Sequence, residues 1–137
     1  DSSGKFEYIK TLIDNRNPGQ RLIVGNDTAY APLRQVGADG VVSGCSCAIP
    51  ELLVALDNAI TSGRTELAAQ LNGRLHEFIR WIDQFPGPMG VKEAAVVRGL
   101  PATGAVARLD PTLQAKLGEF RVWFKEWLPV IRKESAA

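Results

Sequence analysis

The fold is decided by residues 21–44, which read RLIVGNDTAYAPLRQVGADGVVSG. Two short apolar runs, residues 21–25 and residues 40–44, flank a helical segment, and both end in glycine. Apolar runs of this length that are joined through a helix are typical of parallel strands covered on both faces. Because two strands cannot form such a sheet alone, the sequence predicts the end of a larger α/β barrel.

Helical patterns surround both strands. Before the first strand, apolar residues recur at helical spacing over residues 6–13, with Ser3 as a possible cap. Residues 30–36 predict a second helix between the strands. After the second strand, Pro50 suits the first position of a helix that stops at Gly63. The predicted order is therefore helix, strand, helix, strand, helix.

From Thr65 onward the pattern is helical only. A long amphipathic helix begins there and is followed by a short helix over residues 91–100. Asp110 and Pro111 are the cap and the first residue of a last helix, which is predicted to end at Pro129. The C-terminal half is thus predicted to be a group of helices with no strand.

Charge and hydropathy argue against two classes of partner. The chain has 137 residues, 45% of them hydrophobic, and a net charge of +1 from 16 basic and 15 acidic side chains. This balance gives no field that would attract nucleic acid or an anionic membrane. The longest apolar runs, such as residues 52–56, are far shorter than a membrane span, and no charged leader precedes an apolar segment. We expect a soluble, cytoplasmic protein.

The cysteines and the histidine predict neither a metal site nor a disulfide. Cys45 and Cys47 are two residues apart, which is too close for an ordinary structural bridge. They supply half of a tetrahedral zinc site at most, and the single histidine, His76, lies in a different pattern. We therefore expect free thiols, no metal and no cofactor.

An ordered set of motifs resembles the family of dihydrodipicolinate synthases and N-acetylneuraminate lyases. In that family a Schiff-base lysine is commonly followed by D-S-S-G, which matches the first four residues of this chain. Further matching segments follow in the family's order and spacing as far as residue 109. The matches are residues 1–4 (DSSG), 25–27 (GND), 32–33 (PL), 37–43 (GADGVVS), Pro50, residues 88–95 (PMGVKEAA) and residues 106–109 (VARL).

This resemblance implies a fold and a chemistry. Residues 1–63 would supply the last two strands of a (β/α)8 TIM barrel with their helices, and residues 64–137 a C-terminal helical subdomain. The N-terminal part of the barrel would be the missing partner, and the catalytic lysine would lie immediately before Asp1. That lysine forms a Schiff base with pyruvate or a related 2-oxo acid, in a lyase of lysine biosynthesis that is a dimer or homotetramer. No catalytic residue is expected in this chain, and Lys92 is interpreted as solvated or structural.

The resemblance also assigns substrate-binding positions to residues that follow the two strands. Gly25 and Val42 match positions that line the pyruvyl pocket. Four others match positions that contact the second substrate, namely Asn26, Asp27, Ser43 and Gly44. For Asp27, ordinary capping at a strand end is an equally good interpretation.

Departures from the family pattern leave the exact reaction open. Neuraminate lyases favour an acidic residue and a serine where this chain has Thr28 and Gly44, and Cys47 replaces a common asparagine. N-acetylneuraminate lyase activity is therefore less favoured than a dihydrodipicolinate synthase-like reaction. An aldolase of 4-hydroxy-2-oxo acids or 2-keto-3-deoxy sugar acids is an alternative. A stand-alone helical assembly module is the non-enzymatic alternative, and the two unaccompanied strands argue against it.

Overall fold

Two very short parallel strands lie at the centre of the N-terminal half. The computed structural model describes residues 1–101 and 110–136, so the motif at residues 106–109 lies outside the described residues. Strand β1 is Ile23–Val24 and strand β2 is Gly40–Val41, and they pair in parallel, Ile23 beside Gly40 and Val24 beside Val41. The strands were predicted correctly in place and direction, but regular pairing covers two residues of each five-residue run.

Helix α1, Phe6–Asp14, comes before β1 and buries Ile9 and Ile13. The prediction that Ser3 caps this helix is wrong. The cap position is Lys5, which makes no capping bond through its side chain, and the Ser3 hydroxyl instead accepts a hydrogen bond from the Lys5 amide. The helix is therefore held mainly by its buried apolar face.

A 3-10 helix follows each strand and leads into an α-helix. Residues Asp27–Ala29 form the first 3-10 helix and run into α2, Tyr30–Gln35. Residues Cys45–Cys47 form the second and lead to α3, Pro50–Thr61, whose first residue is the predicted proline. These tight turns bring the polar residues after each strand back over the sheet edge.

Three helices make up the remainder of the chain that the structure describes. They are α4, Thr65–Ile82, α5, Met89–Val97, and α6, Pro111–Ser135. The predicted end of α6 at Pro129 is wrong, because the helix continues for six more residues. A proline inside a helix costs about 3 kcal/mol. Burial of Leu128 and Ile131 on either side of it, and an ion pair of Glu134 with Arg74, offset that cost.

Aromatic side chains fill the space between α4 and α6. Phe78 of α4 packs against Phe120, Phe124 and Trp127 of α6, with ring centroids 5.7 to 6.4 Å apart. Trp81 stacks on Trp123 at 5.2 Å. All three tryptophans therefore pack these two helices together.

One hydrophobic core runs through both halves of the chain. Helix α3 packs against α4 and α6, and the first 3-10 helix also touches α4. Where these helices meet at the surface, the Glu51 carboxylate of α3 forms salt bridges with Arg98 at 2.8 Å and with Arg132 at 3.3 Å. The C-terminal helices therefore support the helices that flank the strands. Within the described residues, no helix is long and apolar enough to cross a bilayer.

Candidate active site

The six residues predicted to bind substrate meet at one edge of the sheet. Three of them follow β1 and three follow β2, and parallel strands end at the same edge. A hydrogen bond of 2.8 Å from the Val42 amide to the Val24 carbonyl continues the pairing beyond the strand ends. The structure thus places Gly25, Asn26, Asp27, Val42, Ser43 and Gly44 around one edge.

The start of the chain lies at the same edge, on the other side of β1. The Asp1 nitrogen donates to the Ile23 carbonyl at 2.7 Å, and the Gly25 amide donates to the Asp1 carbonyl at 2.6 Å. This pair of bonds is the pattern of a parallel strand with Asp1 opposite Val24. Asp1 therefore pairs with β1 as a third parallel strand would, on the side opposite β2.

Alternation of side chains defines an uncovered face of this sheet. Val24, opposite Asp1, is fully buried beneath the helices. Its neighbour Ile23 faces the other way and is 38% exposed, and Val42 is 72% exposed. Gly25 belongs to this uncovered face as well, because it lies two residues beyond Ile23. The two predicted pyruvate-pocket residues thus share one apolar, uncovered face.

Gly25 is glycine for a reason that the sequence alone does not reveal. A Cβ atom at this position would lie 2.8 Å from Ser2 Cβ and 3.4 Å from the Asp1 carbonyl oxygen. Carbon atoms in normal contact are about 3.5 to 4.0 Å apart. The close approach of the Asp1–Ser2 backbone therefore requires glycine here, whether or not a substrate also approaches.

The Asn26 side chain is hydrogen-bonded to residues that follow it in the same turn. Its Oδ1 atom accepts hydrogen bonds from the Thr28 amide at 3.1 Å, the Thr28 hydroxyl at 2.6 Å and the Ala29 amide at 3.2 Å. It thereby caps the first 3-10 helix. With three donors already on this oxygen, it has little capacity left to accept a bond from a substrate.

Asp27 differs, because one of its carboxylate oxygens has no partner. The Oδ1 atom is buried and accepts no hydrogen bond from any residue that the structure describes. Burial raises the pKa of the neighbouring Cys45 thiol, and the negative charge of Asp27 and a hydrogen bond from the thiol to the Asp27 carboxylate raise it further. An unpaired buried acceptor typically costs about 1 to 3 kcal/mol. Asp27 therefore keeps one buried oxygen without a partner, beside the Cys45 thiol.

Ser43 and Gly44 form the turn after β2. The Ser43 hydroxyl accepts from the Ser46 amide at 3.1 Å, and the Ser43 carbonyl accepts from the Ser46 hydroxyl at 2.6 Å. No atom lies within 4 Å of the place where a Gly44 Cβ would be. Ser43 therefore shapes the turn, while Gly44 leaves open space at the edge.

A partly buried polar cluster that the sequence did not predict lies close to this turn. Asp57 of α3 accepts hydrogen bonds from the Tyr30 hydroxyl and, at 2.7 Å, from the Arg34 Nε atom. Burial opposes ionisation of Asp57, but the bonds from Tyr30 and Arg34 outweigh it and lower the pKa of the carboxyl. The cluster borders a cavity of about 300 Å³ along the free side of β2, lined also by Ser43 and Val54. Spacing offered no signal, because Tyr30 and Asp57 are 27 positions apart.

Thiols and other metal-binding groups remain separate. Cys45 is buried and Cys47 is exposed, and both are free, as predicted. Across residues 1–101 and 110–136, no three His, Cys, Asp or Glu side chains come together in a way that could hold a metal ion.

Comparison with known proteins gives a consistent match. The model of the dihydrodipicolinate synthetase family matches residues 1–119. The 4-hydroxy-tetrahydrodipicolinate synthase of Chlorobaculum parvum is 32% identical over 102 residues, which are 73% of this chain and 34% of that protein. The enzyme of the same name from Persephonella marina is 28% identical over 100 residues, 73% of this chain and 34% of the relative.

Solved structures share the fold. The dihydrodipicolinate synthase of Aquifex aeolicus superimposes with a TM-score of 0.79 at 20% identity, over 93% of this chain and 43% of that one. The 4-hydroxy-tetrahydrodipicolinate synthase of Methylacidiphilum fumariolicum gives 0.78 at 26% identity, over 98% and 46%. The chloride-inhibited dihydrodipicolinate synthase of Acinetobacter baumannii, solved with pyruvate, gives 0.74 at 23% identity, over 99% and 44%. The chain spans about a third of the length of the curated relatives that it matches.

Proposed function

The chain belongs to the dihydrodipicolinate synthetase family. We propose that it is the C-terminal part of a lyase in which a lysine side chain of the enzyme forms a Schiff base with pyruvate or a related 2-oxo acid. Residues 1–63 are then the last two strands of a (β/α)8 barrel with their helices, and residues 64–137 are a helical subdomain. The N-terminal strands of the barrel complete the site. The exposure of Ile23 and Val42 supports this arrangement, since both side chains need cover that this chain does not supply.

The observation that carries the proposal is the pairing of Asp1 with Val24. Asp1 lies opposite Val24, and because side chains alternate along a strand, a residue immediately before Asp1 would face the same side as Ile23. Gly25 and Val42 also belong to that side. A lysine at the position before Asp1 would therefore point across the uncovered face toward the two residues proposed to line the pyruvate pocket.

The chemistry follows from this placement. The neutral lysine amine adds to the ketone carbon of the 2-oxo acid to give a carbinolamine, which takes up a proton and loses water to give a protonated imine. The imine accepts the electron pair released when a proton leaves the adjacent methyl carbon, and that carbon then attacks an aldehyde. Burial among apolar residues such as Val42 lowers the pKa of a lysine, which favours the neutral amine. Gly25 leaves room for the bound acid beside the backbone.

A trapping experiment on the complete protein tests the proposal. Borohydride reduction with labelled pyruvate should attach one label per chain, and peptide mapping should find it on a lysine immediately before Asp1. A different residue at that position, or a label on Lys92, would contradict the assignment.

The second substrate is proposed to bind at Asp27, Ser43 and Gly44. The buried, unpartnered oxygen of Asp27 favours a substrate that carries a hydrogen-bond donor. A reaction like that of dihydrodipicolinate synthase, with aspartate semialdehyde, is our first choice. Product analysis with aspartate semialdehyde, beside cleavage assays on 2-keto-3-deoxy sugar acids, 4-hydroxy-2-oxo acids and N-acetylneuraminate, separates the alternatives.

A further inference from the structure

Residues 1–4 are fitted closely against the end of β1 at a second point besides Gly25. Gly4 has a φ of +67°, a left-handed conformation that favours glycine. A Cβ atom on Gly4 would lie 2.8 Å from the Asn26 Nδ2 atom and 3.2 Å from its Cγ. The Gly4 backbone therefore packs directly on the flat side-chain amide of Asn26, with no space for any other residue type.

The Asn26 amide cannot easily move away from this contact. Three donors from Thr28 and Ala29 converge on its Oδ1 atom and fix the orientation of the whole amide group. The surface that Gly4 meets is therefore rigid. Its position is set by the first 3-10 helix, which in turn packs against α4.

The segment is thus held at both ends. At its start, Asp1 shares two backbone hydrogen bonds with β1, and Ser2 lies against Gly25. At its end, Gly4 lies against Asn26. Between them, the Asp1 carboxylate accepts bonds from the Ser3 amide at 2.8 Å and the Ser3 hydroxyl at 2.7 Å. A shift of Gly4 would therefore be transmitted through a tight turn to Asp1.

We propose that Asn26 is a positioning residue: its amide, packed on Gly4, fixes the segment that directly follows the Schiff-base lysine, and so sets where the lysine nitrogen meets the ketone. The inference rests on the proposed function, because it needs a lysine before Asp1. It assigns Asn26 a role in imine formation in place of direct contact with the second substrate. The expected consequence of loosening the contact is a slower imine-forming step with little change in pyruvate binding, because a small misplacement of reacting groups lowers the rate steeply.

The experiment uses the complete protein and measures two quantities separately. Rapid mixing with pyruvate gives the first-order rate constant of imine formation at saturation and the dissociation constant of the initial complex. The variants are Gly4→Ala, Asn26→Ala, the double variant, Asn26→Asp and Asn26→Ser. Gly19→Ala is the matched control, since Gly19 also has a positive φ, +85°, but no atom lies within 4 Å of its Cβ position.

We expect Gly4→Ala and Asn26→Ala each to lower the rate constant about tenfold, with the dissociation constant changed less than twofold. Asn26→Asp, which keeps the shape and the capping oxygen, should restore the rate. Asn26→Ser keeps a capping oxygen but loses the contact with Gly4, so its rate constant should stay as low as that of Asn26→Ala. In the Asn26→Ala background, Gly4→Ala should lower the rate constant of imine formation by no more than Gly19→Ala lowers it in the wild type.

Several results would overturn the inference. They are a rate constant of Gly4→Ala equal to that of Gly19→Ala, full rescue by Asn26→Ser, or additive effects in the double variant. If Gly4→Ala does not fold, the Asn26 variants decide, and a wild-type rate constant in folded Asn26→Ala refutes the proposal. A wild-type protein that forms no imine with pyruvate refutes the proposed function instead, so the two failures are distinguishable.

Discussion

Replacing Gly25 with valine is the sharpest test of the candidate site. Even the first added carbon would lie 2.8 Å from Ser2 Cβ, about 0.7 Å or more inside normal carbon contact. Two of the three nearest atoms, Ser2 Cα at 3.3 Å and the Asp1 oxygen at 3.4 Å, belong to the backbone. A flexible side chain therefore cannot relieve the overlap, and the Asp1–Ser2 backbone must shift.

Two magnitudes follow from this overlap. Overpacking of this kind lowers the free energy of unfolding by about 1 to 3 kcal/mol. A backbone shift of several tenths of an ångström beside the lysine position, added to the branched side chain in the pyruvate pocket, should lower the rate of imine formation by about 10- to 100-fold. Both effects arise at the same edge of the sheet, but only the second depends on the proposed chemistry.

Borohydride trapping with labelled pyruvate, run beside circular dichroism of the complete protein, measures both effects. Gly40→Ala is the control, because Gly40 lies in the neighbouring strand and its Cβ would meet only Ile23 Cδ1 at an ordinary 3.6 Å. It should fold and trap pyruvate nearly as well as the wild type. Unchanged kinetics in a folded Gly25→Val protein would remove Gly25 from the site.

Three further predictions address the segment, its assembly and its pH dependence. This chain alone should not trap pyruvate, since no lysine in it lies at the end of either strand, and stable labelling of any of its lysines would contradict the role assignment. Replacing Phe6 and Val36 with aspartate tests the oligomer that the resemblance to the family predicts. Val36 is 37% exposed at the end of α2 and charge in a desolvated contact is unfavourable, so light scattering on the complete protein should find smaller folded particles. Phe6 also packs against the hydrophobic core, so an unfolded protein would indicate core positions, and an unchanged particle size would refute both roles. The carboxyl pKa values of three residues, Glu51, Asp57 and Glu134, lie below the ordinary values of 3.8 to 4.5. Hydrogen bonds from arginines stabilise the charged form of all three, and the Tyr30 hydroxyl adds a bond at Asp57. Their contribution to stability is therefore present above about pH 4.5 and lost as the pH falls through the lowered pKa values, so the urea midpoint should drop below pH 4.5, and a flat midpoint down to pH 3 would contradict the ion pairs.

The sequence by itself determined the kinds of element, their order and the family. Helices such as α3 and α6 begin at Pro50 and Pro111 because proline fits the first helical turn, and this rule acts locally. The short apolar runs predicted parallel strands for a similar reason, since composition alone requires cover on both faces. The residues after those runs were named as site candidates from the resemblance to the family, and they come together because parallel strands end at a common edge.

Only the tertiary structure decided how those candidates are used. Asn26 and Asp27 are adjacent and equally polar, yet one has three donors on its oxygen and the other has an oxygen with no partner among the described residues. Helix α6 also continues past Pro129, since tertiary packing and the ion pair of Glu134 with Arg74 outweigh the free-energy cost of a proline inside a helix. Gly25 and Gly4 are required by Ser2 and Asn26, which approach them only in the folded chain. The capping bonds of Asn26 are local, but the roles of Gly4, Gly25 and the last turns of α6 are set by contacts between residues far apart in the sequence, and local patterns carry no record of such contacts.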